Sequence, residues 1–229
     1  MEKRYVQSLF NAIASRYDLL NHLLSGGVDL YWRRRAAEHL RDGSIRRVLD
    51  VATGTADFAI AALKTGADEV VGVDIAEAML ERGRKKVARR RLATRIHLVH
   101  GEAEHLAFPD ASFDAAIVAF GARNFENLEL GIGEMWRVLR NGGKIVVLEF
   151  SRPHRAPFKQ LYLLYFKHIL PHIGRAVSGH SQAYTYLPAT VMQFPEGEQF
   201  IDILRSAGFK QTVEQRLTFG IASIYIGIK

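Results

Sequence analysis

The hydrophobic rhythm of the chain changes near residue 48. Before it, residues 1–42 read as helical: Phe10, Ile13, Tyr17, Leu20, Leu23 and Leu24 recur at the spacing that lines one helix face. Gly26-Gly27 interrupts that pattern, and a basic, aromatic stretch over residues 31–40 resumes it. Beyond Val48, short apolar runs alternate with helical ones. The pattern predicts strands at 47–51, 69–73, 95–100, 113–119 and 144–150, and helices at 56–64, 77–90 and 128–139. Strands separated by helices imply right-handed βαβ units and a mostly parallel sheet with helices on both faces. The uninterrupted runs Val70-Val71-Gly72-Val73 and Ile145-Val146-Val147-Leu148 suit strands buried on both sides. Residues 153–195 are irregular, aromatic and proline-rich, with helical stretches. A last helix is expected at 198–207, stopped by Gly208, then an antiparallel pair of strands at 210–217 and 222–229. No repeat or linker is visible, so residues 1–229 are expected to form a single domain.

Composition narrows this picture. In 229 residues, 48% are apolar and 24% charged, which suits a globular protein with an ample core. The absence of cysteine excludes disulfides and thiolate chemistry. The N-terminal MEKRYVQSLF lacks the apolar run of a secretory signal, and no stretch has the length of a membrane span. A cytoplasmic protein is expected. The formal charge of +7 favours anionic partners, although Arg33-Arg34-Arg35 and the basic run at 82–91 read first as solvated helix faces.

Open α/β sheets bind ligands at the carboxyl ends of their strands, near the point where strand order reverses. The first predicted strand runs into Asp50-Val-Ala-Thr-Gly54-Thr55, where Gly54 permits a sharp turn and close approach of backbone to ligand. The second ends at Asp74, twenty residues after Gly54, where a carboxylate can accept two hydrogen bonds from a ribose diol. The third ends near Glu102-Ala103, which can offer an acceptor and a backbone donor to an adenine ring. Taken singly, Gly54 also fits an ordinary turn and Asp74 a helix N-cap; together with Glu102 they favour a nucleoside. The loop holds one glycine instead of G-x-G-x-x-G, which counts against nicotinamide and flavin enzymes. No metal-binding spacing is evident: His97 and His100, three apart on a strand, face opposite sides.

Several motifs carry a family resemblance: Tyr17-Asp18-Leu-Leu-Asn21-His-Leu-Leu-Ser25 with Asp29 and Trp32, and Arg137-Val-Leu-Arg-Asn-Gly-Gly-Lys-Ile-Val-Val-Leu-Glu149-Phe-Ser151. Between them lie Phe120-Gly-Ala-Arg123-Asn124 and, later, Tyr186-Leu-Pro. The chain resembles the ubiquinone/menaquinone biosynthesis C-methyltransferases, within the class I S-adenosylmethionine (AdoMet) methyltransferases. It departs from their usual pattern at Leu20 (Met), Asp29 (His), Asn141 (Pro), Glu102 (Asn or Asp) and Ala119 (Ser).

The resemblance implies a Rossmann-like, seven-stranded fold, AdoMet as methyl donor with no metal, and donor contacts at Thr55, Asp74, Glu102 and Ala103, to which the backbone argument adds Gly54. It also implies C-methylation of a prenylated quinol, most simply demethylmenaquinol, with the ubiquinone-pathway benzoquinol as the alternative. Residues 1–42 would form a helical cap and 153–195 a substrate-covering insertion. For such a reaction a ring hydroxyl must lose its proton so that the adjacent carbon becomes nucleophilic. Arg123 is expected to stabilise the phenolate and orient a water, with Asn124 and Tyr17 holding that water or the hydroxyl. The apolar, lysine-edged segment 158–170 is a candidate for transient contact with the inner face of a membrane, and a homodimer stays open. Two readings from other classes also remain: a nucleic-acid methyltransferase, against which Ala119-Phe120-Gly121-Ala122 lacks an N-P-P-Tyr-type tetrapeptide, and a non-enzymatic binding module on the same fold.

Overall fold

The computed structural model describes residues 3–164 and 182–229. Helices α1 (Lys3–Ile13), α2 (Tyr17–Ser25) and α3 (Val28–Glu38) precede the sheet. Then come β1 (Arg47–Val51), α4 (Asp57–Leu63), β2 (Glu69–Asp74), α5 (Glu77–Arg89), β3 (Ile96–His100), β4 (Phe113–Ala119), α6 (Leu128–Val138) and β5 (Leu139–Phe150). Helix α7 (Phe158–Leu164), helix α8 (Gln182–Gln193), helix α9 (Glu198–Ser206), β6 (Lys210–Leu217) and β7 (Ala222–Ile228) complete the described elements. The seven strands lie in the order β3-β2-β1-β4-β5-β7-β6. Strands β1 to β5 run parallel, and β7 is antiparallel to both its neighbours, β5 and β6.

Alternate residues along each strand feed opposite faces, as the unbroken apolar runs require. Val48, Val70, Ile117, Val146 and Ile224 join one core with Trp32, Phe58, Leu63 and Leu80 of the helices on that side and Leu40 of the turn after α3. Leu49, Val71, Val118, Val147 and Tyr225 join the other with Ile132, Met135, Phe200 and Leu204. Every one of these residues is buried.

The expected strand at 144–150 begins earlier, at Leu139, directly after α6. Leu139 is fully buried opposite Phe113, while Lys144 is the partner of Ala115. The extra residues of β5 bulge out, and Gly142 takes the left-handed conformation there (φ +77°). Local apolar periodicity gave no warning because Arg140-Asn-Gly-Gly is polar.

The chain runs outward from β1 to β3, then returns to the other side of β1 for β4, so the order reverses between β1 and β4. The loops leaving these two strands touch. A Cβ added at Gly121 would meet the Cβ of Ala52 at 2.6 Å and Cγ2 of Val118 at 3.1 Å. Ala52 (φ +53°), Ala56 (φ +69°) and Phe120 (φ +59°) are held left-handed beside it. Such conformations cost non-glycine residues roughly 1–2 kcal/mol each. They persist because neighbouring packing fixes the backbone, and they concentrate at sites of function. Gly121→Ala is therefore expected to destabilise the protein by about 1–3 kcal/mol through overpacking. Urea denaturation of the pure variant checks this.

Candidate active site

A cleft of about 700 Å³, counting its open mouth, occupies the crevice at the carboxyl ends of β1, β2, β3 and β4. Gly54, Asp74, Glu102, Ala103, Asn124 and Tyr17 line it together with residues of α1. Six of the residues singled out from the sequence thus converge from five separate stretches of chain.

Asp74 ends β2 and organises the floor. One carboxylate oxygen accepts the Gly54 N–H at 2.8 Å, and the other accepts the Ala76 N–H at 2.8 Å. The residue therefore ties the β1 loop to the start of α5, so that its capping and loop-holding roles coexist. A carboxylate has about four acceptor positions, which leaves capacity for a ligand. Burial pushes the Asp74 carboxyl above its ordinary value, opposed by the N–H groups of Ala76 and Gly54. Gly54 itself is left-handed (φ +57°), and a Cβ there would meet only Tyr17 Cε1 at 3.9 Å. Its glycine thus answers to backbone conformation and keeps this wall of the cleft open.

At the opposite end, Glu102 accepts a hydrogen bond from Lys3 Nζ at 2.7 Å. Lys3 also lies 3.7 Å from Glu104 and 3.8 Å from Glu126, so α1 is pinned across the mouth by one ammonium among three carboxylates. The hydrogen bond to Glu102 chiefly raises the Lys3 pKa. Any adenine contact through Glu102 shares that carboxylate with Lys3.

Two expected residues sit elsewhere. The Thr55 hydroxyl joins a polar cluster in which Lys86 Nζ reaches Thr55 Oγ1 at 2.9 Å, Asp57 at 2.7 Å and Asp18 at 2.7 Å. Thr55 lines a smaller adjoining cavity instead of the cleft. Lys86, part of the basic run, is thereby an internal tether between α2, α4 and α5. Arg123 sits on a 3-10 turn after β4, and its side chain is only 6% exposed. Its Nη1 donates to the Phe120 carbonyl and to Glu149, with the closest ion-pair distance 3.0 Å; Glu149 is wholly buried. The Arg123 guanidinium also packs over the Phe150 ring at 5.4 Å. This is a buried ion pair, not the surface one an isolated arginine suggests, and Arg123 does not line the cleft. The side chain that caps α6 is that of Asn127, which accepts from the Leu130 N–H at 2.9 Å.

One contributor escaped the sequence reading of the site. Tyr186 of α8 donates its hydroxyl to Asn124 Oδ1 at 2.8 Å. Burial pushes its pKa up to about 12, against the lowering effect of Arg123. Sixty-two residues separate the two partners, and only the family motif containing Tyr186 drew notice to it.

This geometry is accompanied by a clear likeness in sequence. The sequence model of the ubiE/COQ5 methyltransferase family matches residues 1–229. The chain belongs to that family. It is 50% identical over 226 residues to the demethylmenaquinone methyltransferase of Deinococcus radiodurans, covering 98% of this chain and 92% of that one. It is 47% identical to the ubiquinone/menaquinone biosynthesis C-methyltransferase UbiE of Citrifermentans bemidjiense, covering 98% and 96%. Among solved structures it resembles a SAM-dependent methyltransferase of Thermotoga maritima described as a possible histamine N-methyltransferase, with a TM-score of 0.66, 20% identity and 98% and 99% coverage. The sheet is accordingly the Rossmann-like methyltransferase sheet, and the chain is a methyltransferase. Among the described residues no group of three or more His, Asp or Glu side chains could hold a metal ion.

Deep in the smaller cavity, Asp50 accepts from Thr53 Oγ1 at 2.6 Å. Burial pushes its carboxyl up to about 7, against the Thr53 hydrogen bond and the charge of Arg33. The folded protein thus keeps a proton that the unfolded chain loses near 3.8, so from this group stability is greatest below about pH 4. It falls as pH rises toward about 7 and is then flat. Asp50→Asn should remove this decline: the urea midpoint of the ligand-free variant should gain on that of the parent between pH 5 and 8.

Proposed function

We propose that this methyltransferase transfers a methyl group from AdoMet to a ring carbon of a prenylated quinol, demethylmenaquinol above all, giving menaquinol. The observation that carries the reading is the Asp74–Gly54 floor of a cleft at the reversal of strand order, in a chain 50% identical to a demethylmenaquinone methyltransferase. The residues present fit the donor. Asp74 has spare acceptor capacity for a ribose diol, Glu102 and the Ala103 N–H lie at the far end for adenine, and the open face of Gly54 lets a chain pass. The Thr55 hydroxyl acts from behind, holding the loop through Asp18 and Lys86.

When bound, AdoMet supplies an electrophilic sulfonium methyl. The protein must make the acceptor carbon nucleophilic. A ring hydroxyl with a phenol-like pKa of about 10 must give up its proton at the moment of transfer. Asn124 is the polar group we assign to the substrate side; Tyr186 donates to its carboxamide oxygen, and its NH2 can donate to a ring oxygen or a bound water. Arg123 contributes by its charge across the 3-10 turn and by anchoring that turn to Glu149, which sets the position of Asn124. Tyr17 lines both the cleft and the smaller cavity, so it borders donor and acceptor alike. Orienting the reactants in a closed site contributes at least as much as acid–base help.

In this reading residues 1–42 serve as a cap and 153–195 as the substrate-covering part of one catalytic domain; of these, residues 1–2 and 165–181 lie outside the described residues. The quinol's tail would leave the cleft past this layer. No helix among the described residues is long and apolar enough to cross a membrane. The enzyme would meet its lipid-borne substrate at the membrane surface, where Leu164, Phe219 and Leu19 are more than half exposed. Of the apolar segment 158–170, residues 165–170 lie outside the described residues. The positive charge assists at an anionic inner leaflet.

A strain lacking its quinone C-methyltransferase, complemented with this chain, is expected to regain menaquinone; recovery of ubiquinone alone would assign the benzoquinol instead. In vitro the reduced quinol should be methylated and the oxidised quinone should not, because only the quinol has a hydroxyl to ionise. RNA methylation without quinol methylation would favour the nucleic-acid reading. Asp74→Ala should weaken binding of S-adenosylhomocysteine by roughly 10–100-fold, the worth of a charged hydrogen-bonding partner. Calorimetry reads this directly.

A further inference from the structure

Asn124 closes the 3-10 turn that follows β4, and it lines the cleft. Its backbone is well fixed. The Asn124 N–H donates to the Gly121 carbonyl at 2.9 Å, and the neighbouring Arg123 N–H donates to Glu149 Oε1 at 3.2 Å. The side chain is a separate matter. The last torsion of an asparagine has a broad, roughly twofold preference, so nothing intrinsic decides whether its oxygen or its NH2 faces a ligand. A partner must decide, and the wrong choice exchanges a donor for an acceptor.

That partner is Tyr186 of α8, whose hydroxyl donates to Asn124 Oδ1 at 2.8 Å. The tyrosine is only 8% exposed and clusters with Val6 and Leu9 of α1. Its ring centroid lies 6.0 Å from that of Tyr5 and 6.4 Å from that of Phe10, the latter edge-on. The hydroxyl is therefore held in place by its own ring. It also stays protonated: burial pushes its pKa up to about 12, with Tyr5 and Glu149 acting in the same sense and Arg123 against it. Tyr186 thus remains a donor at neutral pH, and the Asn124 oxygen stays committed to it.

We propose that Tyr186 is a positioning residue for methyl transfer: by holding the oxygen of Asn124 it makes the amide present N–H donors to the acceptor's ring oxygen as that oxygen becomes anionic. The inference rests on the reading of the cleft as the site of quinol methylation. Donors favour the ionised form of a hydroxyl, whereas an amide oxygen in the same place would oppose it. The help grows as charge develops, so it acts on kcat more than on binding. Because α1 packs the ring that carries this hydroxyl, the N-terminal cap supports the acceptor side of the cleft as well as covering its mouth.

Tyr186→Phe keeps the ring's contacts with Tyr5 and Phe10 and removes only the hydroxyl. Steady-state kinetics with reduced demethylmenaquinol and AdoMet test the proposal on this variant. Its kcat is expected to fall by about tenfold or more, the worth of one hydrogen bond to a developing charge. Quinol KM and calorimetric affinity for S-adenosylhomocysteine should change by less than about twofold, since uniform binding is untouched. The rise of kcat with pH should move about one unit to the alkaline side, because the bound hydroxyl ionises less readily. Asn124→Ala should slow transfer at least as much, and adding Tyr186→Phe to it should cost no further rate. Unchanged kcat in either single variant would overturn the proposal. So would losses that multiply in the double variant, since Tyr186 would then act independently of Asn124. A fall in kcat matched by an equal weakening of S-adenosylhomocysteine binding would also overturn it, as the mark of a merely structural role. A parent enzyme that binds S-adenosylhomocysteine yet methylates no quinol would sink the reading of the reaction, and the proposal with it.

Discussion

The site depends on a single carboxylate that two loops share. Asp74 holds the Gly54 N–H on one oxygen and the Ala76 N–H on the other, and so fixes the shape of the β1 loop against the β2 loop. The parallel sheet brings these loops to the same edge, because right-handed crossovers return every strand in the same direction. Reversal of strand order beside β1 then leaves a crevice that no crossover helix fills. What remains is to keep it open. Glycine at 54 and left-handed backbone at Ala52, Ala56 and Phe120 do so by turning the chain away from the cavity.

A second constraint is charge burial. Two arginines, Arg33 and Arg123, flank the tilted pair of rings Phe120 and Phe150, whose centroids lie 4.5 Å apart, and each is paired to a buried carboxylate. Removing one member of such a pair strands the other, typically at a cost of about 3–5 kcal/mol. The pairs serve position more than stability: Arg123–Glu149 sets the turn bearing Asn124, and Asp29–Arg33 sets a cation at the smaller cavity. Asp29, buried like Arg33, is the arginine's partner.

Most of the strand layout was legible because period and length carry it. The bounds of β1 and β4 agree with the pattern residue for residue, and Gly54, Asp74 and Glu102 could be placed at strand ends by counting. Residues whose roles are set by distant partners were not legible in this way. Arg123 looks like a surface cation until Glu149, twenty-six residues on, is seen beside it in the neighbouring strand. Lys3 meets Glu102 across ninety-nine residues, and Tyr186 meets Asn124 across sixty-two. No local period encodes such contacts. They arise from sheet register and helix docking, which determine which side chains face each other only after the chain has folded.

Amide hydrogen–deuterium exchange with and without S-adenosylhomocysteine tests the central claim, that the nucleoside sits on the Asp74–Gly54 floor. The account predicts slowed exchange confined to the loops after β1, β2 and β3, around residues 52–56, 74–76 and 101–104, with an effect on α1 at the mouth. Saturating ligand that leaves these amides unchanged while protecting another surface would contradict it.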